Sequence, residues 1–214
     1  TFAENALIKA RAAYEHTGMP AIADDSGLCV DILGGSPGIF TAIWAGGRDN
    51  VQNRQLLLRQ MVDISPAHRS AAFVCTIALV SETEELCFTG YWPGSIAFAE
   101  RGEHGHGYDP VFIPEGFEVT AAELDPEVKN ALSHRAQALS ALIGFVLPKI
   151  YCLCLLGNAA VCPLSAVASA RAAVVHSRLP GDHLSGLSLF AVEQAEPVVL
   201  EDDRQHREAA QTDA

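Results

Sequence analysis

Pro20-Ala21-Ile22-Ala23-Asp24-Asp25-Ser26-Gly27-Leu28 is an apolar run that ends in two carboxylates, a hydroxyl and a glycine. Pro20 to Ala23 reads as a short buried strand, and Leu28 to Leu33 as a second apolar piece after the polar break. Upstream, Phe2, Ala6, Leu7, Ala10, Ala13 and Tyr14 recur at helical spacing, with Lys9, Arg11 and Glu15 off that stripe. Thr1 with Glu4 three residues on makes a capping-box pattern, and Gly18 followed by Pro20 closes the helix. Downstream, Gly34 to Gly38 is a loop by composition, and Asn50 to Val62 is a second helix with Leu56, Leu57 and Met61 facing in. Ala71 to Val80 is apolar on both faces, which predicts a central strand. Leu86–Tyr91 and Ser95–Glu100 read as shorter strands joined through Trp92-Pro93-Gly94. Val111 to Ile113 is a brief strand, and Ala121 to Leu124 begins a turn. Val128 to Leu147 is a helix whose buried side is Leu132, Ala136, Leu139, Leu142, Ile143 and Val146. Helices and strands interleave, so the fold class is α/β.

The 214 residues carry 14 basic and 26 acidic side chains, a formal net charge of −12. That balance argues against a polynucleotide or an anionic membrane as partner, since both need a surplus of Lys and Arg. It leaves room for a small anionic ligand, because a divalent metal and a few placed cations reverse the local field. With 49% hydrophobic residues the chain is globular rather than disordered. Between Ile150 and Pro180 the only formal charges are Arg171 and Arg178, so the C-terminal part is a different kind of sequence from the rest. Ile150 to Ala170 is apolar enough to span a bilayer of about 30 Å. Asn158, Pro163 and several serines interrupt it, and no aromatic belt or basic flank follows, so it is not read as a membrane span. Cys29, Cys75 and Cys87 sit singly among apolar neighbours, as expected of buried thiols in a reducing, cytoplasmic compartment. Cys152, Cys154 and Cys162 have no His or acidic residue between them to complete a zinc set.

Three constellations carry chemistry. Asp24 and Asp25 can offer oxygen ligands to Mg²⁺, and on a strand they point to opposite faces, so one is expected to be catalytic and the other structural. Taken alone, the same residues read first as a turn ahead of Gly27. Gly105-His106-Gly107-Tyr108-Asp109-Pro110 lets backbone approach a ligand closely, with His106 or Tyr108 able to stack on a flat base. Lys129 and Ser133 share a helix face, with His134 and Arg135 beside them, a set suited to phosphate or a base carbonyl. Each of the last two also has an ordinary reading, as a turn and as a solvated helix start.

In this order the motifs resemble those of the inosine/xanthosine triphosphate pyrophosphatase family. Matching stretches are Thr1 to Ala10, Pro20 to Leu28, Gly34-Gly35-Ser36-Pro37-Gly38, Tyr91-Trp92-Pro93-Gly94, Gly107 to Phe112, Thr120 to Leu124 and Ser133-His134-Arg135, covering about Thr1 to Leu147. The resemblance implies Mg²⁺-dependent hydrolysis of ITP, dITP or XTP to the monophosphate and pyrophosphate. It implies an elongated mixed β-sheet with flanking helices, two lobes around a nucleotide cleft, and a homodimer. Carried over by motif, Asp25 is the metal ligand and general base. Ser26, His106, Gly107, Tyr108, Asp109, Lys129, His134 and Arg135 are substrate contacts, with His134 and Arg135 near the base. The family's first strand and its Ser-Gly-Asn…Lys phosphate loop do not precede Thr1, and there is no initiator methionine. An N-terminally truncated domain over 1–147 is therefore expected, followed by a non-family extension over 148–214. His106 stands where the family usually has Phe, and Thr41-Ala42-Ile43-Trp44 replaces the usual Ser-Ala-Arg-Tyr. Two rivals stay open: a nucleotide-binding but inactive remnant, and a pyrophosphatase with relaxed base choice.

Overall fold

The computed structural model describes residues 1–155 and 173–174. They lie in one unit, Thr1–Ser177, and the second unit, Arg178–Ala214, falls outside the described residues. Helix α1 (Phe2–Thr17) has the expected capping box, with Glu4 N–H donating to the Thr1 hydroxyl, and it stops at Gly18 in the left-handed conformation. Strand β1 (Ala21–Val30) follows, then a 3-10 turn (Asp31–Leu33), β2 (Ser36–Pro37), a second 3-10 turn (Gly38–Ile43) and α2 (Asn50–Gln60). Strands β3 (Ser70–Val80), β4 (Glu85–Ile96) and β5 (Phe112–Pro114) come next, then α3 (Pro126–Leu132), α4 (His134–Leu155) and β6 (Ala173–Val174).

The sheet order is β2-β1-β3-β4-β5, antiparallel throughout, and β6 adds a parallel pairing to β1 at Ala21 and Ile22. The fold is thus mixed α/β, a five-stranded antiparallel sheet with flanking helices. β1 is one continuous strand rather than two pieces around a turn. Every residue from Ala21 to Val30 has a partner in β3, so the ladder carries Asp24, Asp25, Ser26 and Gly27 in extended form. Likewise Trp92-Pro93-Gly94 joins no two strands but runs inside β4, opposite Phe73, Ala72 and Ala71. Pro93 is tolerated there because its backbone turns toward β5, just past the end of that short strand, where its carbonyl accepts from Glu115 N–H.

Alternation along β1 divides the core. Ala23 packs with Ala6, Ala10, Ala78 and Val80 against α1 on one face. On the other face, Cys75, Ile77, Ala138 and Leu142 pack beneath α4 at one end of the strands. Leu28, Val30, Phe73, Trp92, Tyr108 and Phe112 form the larger cluster at the other end, with Leu57 of α2 and Met61 just beyond it. Between these two clusters α4 rests directly on Gly90 of β4, where a Cβ would run into the His134 carbonyl and the Ala138 amide.

The helix expected over Val128–Leu147 is two helices, because Ser133 takes an extended conformation between them. Its hydroxyl accepts from Ala136 N–H and so caps the start of α4. The restart changes the phase of the buried stripe. Ala138 and Leu142 are buried, whereas Leu132, Leu139 and Ile143, expected inside, are exposed. Among the described residues no helix is long and apolar enough to cross a membrane. Most of the expected extension, including Cys162 and the bulk of Ile150–Ala170, lies outside the described residues, as do the side chains of Cys152 and Cys154.

Gly90→Ala is expected to lower stability by about 1–3 kcal/mol, the usual range for overpacking a tight contact. Urea denaturation measures it, and an unchanged midpoint would mean that α4 does not rest on this notch.

Candidate active site

The middle of β1 holds the chemistry, and each of its carboxylates is met by a different helix. On the α1 face, Asp25 accepts from Lys9 Nζ at 2.9 Å and from Asn5 Nδ2 at 3.1 Å. Asn5 and Lys9 are four apart, so one face of α1 presents both. Lys9 also donates to the Asp24 backbone carbonyl. On the opposite face, Arg135 donates to Asp24 Oδ2 through Nε at 3.2 Å and Nη2 at 2.9 Å, and to Ser26 Oγ at 3.3 Å. Ser133 brings Arg135 there by ending α3 and starting α4.

Cys75 lies on the same face, its Sγ 3.8 Å from Asp24 Oδ2. Burial first, and the Asp24 charge next, push its thiol up to about 12, so it stays protonated and is no nucleophile. The neighbouring His134 ring stacks on Phe73 with centroids 5.0 Å apart, and its buried Nδ1 has no hydrogen-bond partner among the described residues.

The Gly-rich loop is held from several sides. Asp109, buried, accepts from the His106 amide at 2.6 Å and from Lys129 Nζ at 2.5 Å. Tyr108 is buried too, and its hydroxyl donates to the Thr41 carbonyl at 3.1 Å. Burial raises the Tyr108 hydroxyl above its ordinary pKa, so it remains a donor. The His106 side chain stands exposed at the loop tip. Thr41 in turn accepts from Leu28 N–H at 2.9 Å, linking the loop to β1 two residues beyond Ser26.

The sequence profile of the Ham1 family matches residues 1–145. The chain belongs to that family. Over 145 residues it is 59% identical to a dITP/XTP pyrophosphatase of Leifsonia xyli subsp. xyli, which covers 67% of this chain and 73% of that protein. A HAM1 protein structure from Coxiella burnetii superimposes with a TM-score of 0.66 at 44% identity, over 69% of this chain and 77% of that one. The structure of a nucleoside-triphosphatase, dITP/XTP pyrophosphatase, from Mycobacterium abscessus gives 0.61 at 52% identity, over 66% and 74%.

Within this Ham1 chain, the residues singled out from sequence fall into three groups. Asp25, Ser26 and Arg135 meet at mid-strand, on its two faces. Lys129 joins Asp109 at the root of the loop, and Tyr108 and Asp109 are interior fastenings of that loop rather than exposed lining. His134 lies against the core on Phe73. Lys9 and Asn5, which the sequence does not single out, join Asp25 in the candidate site. Lys9 sits off the apolar stripe, and helical spacing alone does not tell a solvated lysine from one that reaches a strand.

Burial, with the Arg135 cation next, holds the His134 imidazole down at about 3 against an ordinary 6.5. The unfolded ring takes up a proton as pH falls through its ordinary value, whereas the folded ring resists. The stability this neutral histidine contributes is therefore complete above that value and is lost on acidification. Between about pH 7 and about pH 4 the chain is expected to lose more stability than His134→Phe, by at most about 1.4 kcal/mol per pH unit. Parallel denaturation curves would remove His134 from this account.

Proposed function

We propose that this chain hydrolyses the noncanonical purine nucleoside triphosphates ITP, dITP and XTP to the monophosphate and pyrophosphate. The observation that carries the reading is the mid-strand Asp25, held by Lys9 and Asn5 and backed across the sheet by the Asp24–Arg135 pair. It stands in a chain 59% identical to a dITP/XTP pyrophosphatase. Each oxygen of Asp25 takes one of the two side-chain bonds, and a carboxylate can accept about four. The remaining lone pairs suit a proton from an attacking water and one ligand position on a divalent cation.

That donor set fits Mg²⁺, which is commonly held by one or two carboxylates together with substrate phosphates and water. When bound, the ion supplies charge neutralisation on the phosphates. Asp25 would hold it and take the proton from water, and Asn5 fixes the orientation of the carboxylate. Lys9, Lys129 and Arg135 supply the positive charge that an acidic protein needs to receive a triphosphate.

Arg135 is half exposed and has N–H donors beyond the three given to Asp24 and Ser26. Aimed at the purine 6-keto oxygen, such donors would be left unpaired by adenine, which disfavours ATP. His106, exposed on its loop, would stack on the base, with less area than a phenyl ring. The reading carries the family's nucleotide cleft between two lobes and a homodimer with it, and sedimentation tests the latter.

Pyrophosphate release with Mg²⁺ is expected from ITP and XTP, with ATP and GTP at least about tenfold lower in kcat/KM. Asp25→Asn is expected to lower kcat by about a hundredfold or more. Release from GTP as fast as from ITP would favour relaxed base choice, and nucleotide binding without release would favour the inactive reading. His106→Phe is expected to lower KM for ITP with little change in kcat, because it adds stacking area to the ground and transition states alike. A KM unchanged or raised would take His106 off the base.

A further inference from the structure

Helix α2 stands apart from both carboxylates, yet two consecutive residues on it fasten two different loops. Asn53 is wholly buried and binds the first: its Nδ2 donates to the Ala42 and Gly47 carbonyls, and its Oδ1 accepts from Ala45 N–H. Arg54 reaches the second. Its Nη1 donates to the Gly107 carbonyl at 2.8 Å, and its Nε donates to Glu100 Oε2 at 3.0 Å. The Arg54 side chain is only 13% exposed, so both bonds are charge-assisted and poorly replaced by water. No family motif in the sequence includes Arg54.

We propose that Arg54 is a positioning residue for substrate binding: through the Gly107 carbonyl it fixes the direction in which the loop presents His106. The inference rests on the reading of that loop as the base pocket. Gly107 has φ +57°, in the left-handed region, and without a Cβ it opens more orientations to the peptide that follows than another residue would. The other fastenings act on the residues to either side, and the Asp109 N–H donates to the His106 carbonyl. Asp109 grips the His106 amide and Lys129, and the Tyr108 hydroxyl grips Thr41, at the far end of a long side chain. Arg54 alone among these takes hold of the carbonyl between His106 and Tyr108. Glu100 fixes the guanidinium from the other side, so the fork arrives already oriented. A lysine, with a single ammonium on a flexible stem, reproduces one bond but not the pair.

A residue that only positions the pocket changes affinity, not the chemical step. Arg54→Met keeps the alkyl stem. It is expected to raise KM for ITP about tenfold while kcat stays within about twofold, with Arg54→Lys in between. A second readout needs no nucleotide. The amides of Asp109 and Val111 donate to the His106 and Tyr108 carbonyls, so their hydrogen exchange reports loop order. Both should exchange faster in Arg54→Met, while β3 amides keep their protection and the melting temperature stays within a few degrees. KM and exchange both unchanged would overturn the proposal. So would a fall in kcat and melting temperature with KM intact, which marks a structural role only. If the unmodified chain releases no pyrophosphate from ITP or XTP, it is the enzymatic reading that fails. The exchange measurement then decides the role of Arg54 by itself.

Discussion

Consecutive residues of a strand point to opposite faces of the sheet, and the site depends on that rule applied to Asp24 and Asp25. Had the chain turned at these residues, both carboxylates would face solvent on one loop. The ladder to β3 keeps them extended, so each enters a different layer of the protein. Asp25 goes to α1 and receives Lys9 and Asn5, whereas Asp24 goes to α4 and receives Arg135. The two flanking helices are thereby tied by charge to the same pair of residues, and a change of register by one would exchange their partners.

The cations of the site are matched one to one with carboxylates: Lys9 with Asp25, Arg135 with Asp24, Lys129 with Asp109. On the function proposed above, these are the cations with which a chain of net charge −12 would receive a triphosphate. Paired charges hold their geometry before any ligand arrives, and the N–H donors they leave unused remain for an anion. A polyanion accompanied by a divalent ion brings less negative charge to such a pattern, whereas a long unaccompanied polyanion would meet the acidic remainder of the surface.

Much of this is legible in the sequence, and the rest is hidden in three different ways. The capping box of α1 and the central place of β3 follow from local pattern, and the motifs single out Asp25, Ser26 and Arg135, which the fold brings to the middle of β1. The continuity of β1 and β4 does not follow from local pattern. Gly27 and Pro93 are breakers in isolation, and only the neighbouring strand shows that the ladder runs through them. The division of α3 from α4 was hidden for the opposite reason, since Ser133 looks unremarkable inside a helical pattern until its hydroxyl is seen to cap the next helix. Lys9 and Arg54 belong to a third kind. Their partners are distant in sequence, at Asp25 and Gly107, so no window along the chain contains the interaction.

Asn53 constrains how this chain can change. One carboxamide satisfies two carbonyls and one amide of the segment 42–47, using both its donor group and its acceptor. Aspartate would lose the donors, and glutamine would overshoot by a methylene in a fully buried slot. An insertion or deletion between Gly47 and Asn53 would shift all three groups relative to the carboxamide, and one within 42–47 would separate them from one another. A chimera between this chain and a relative should therefore be joined outside the stretch.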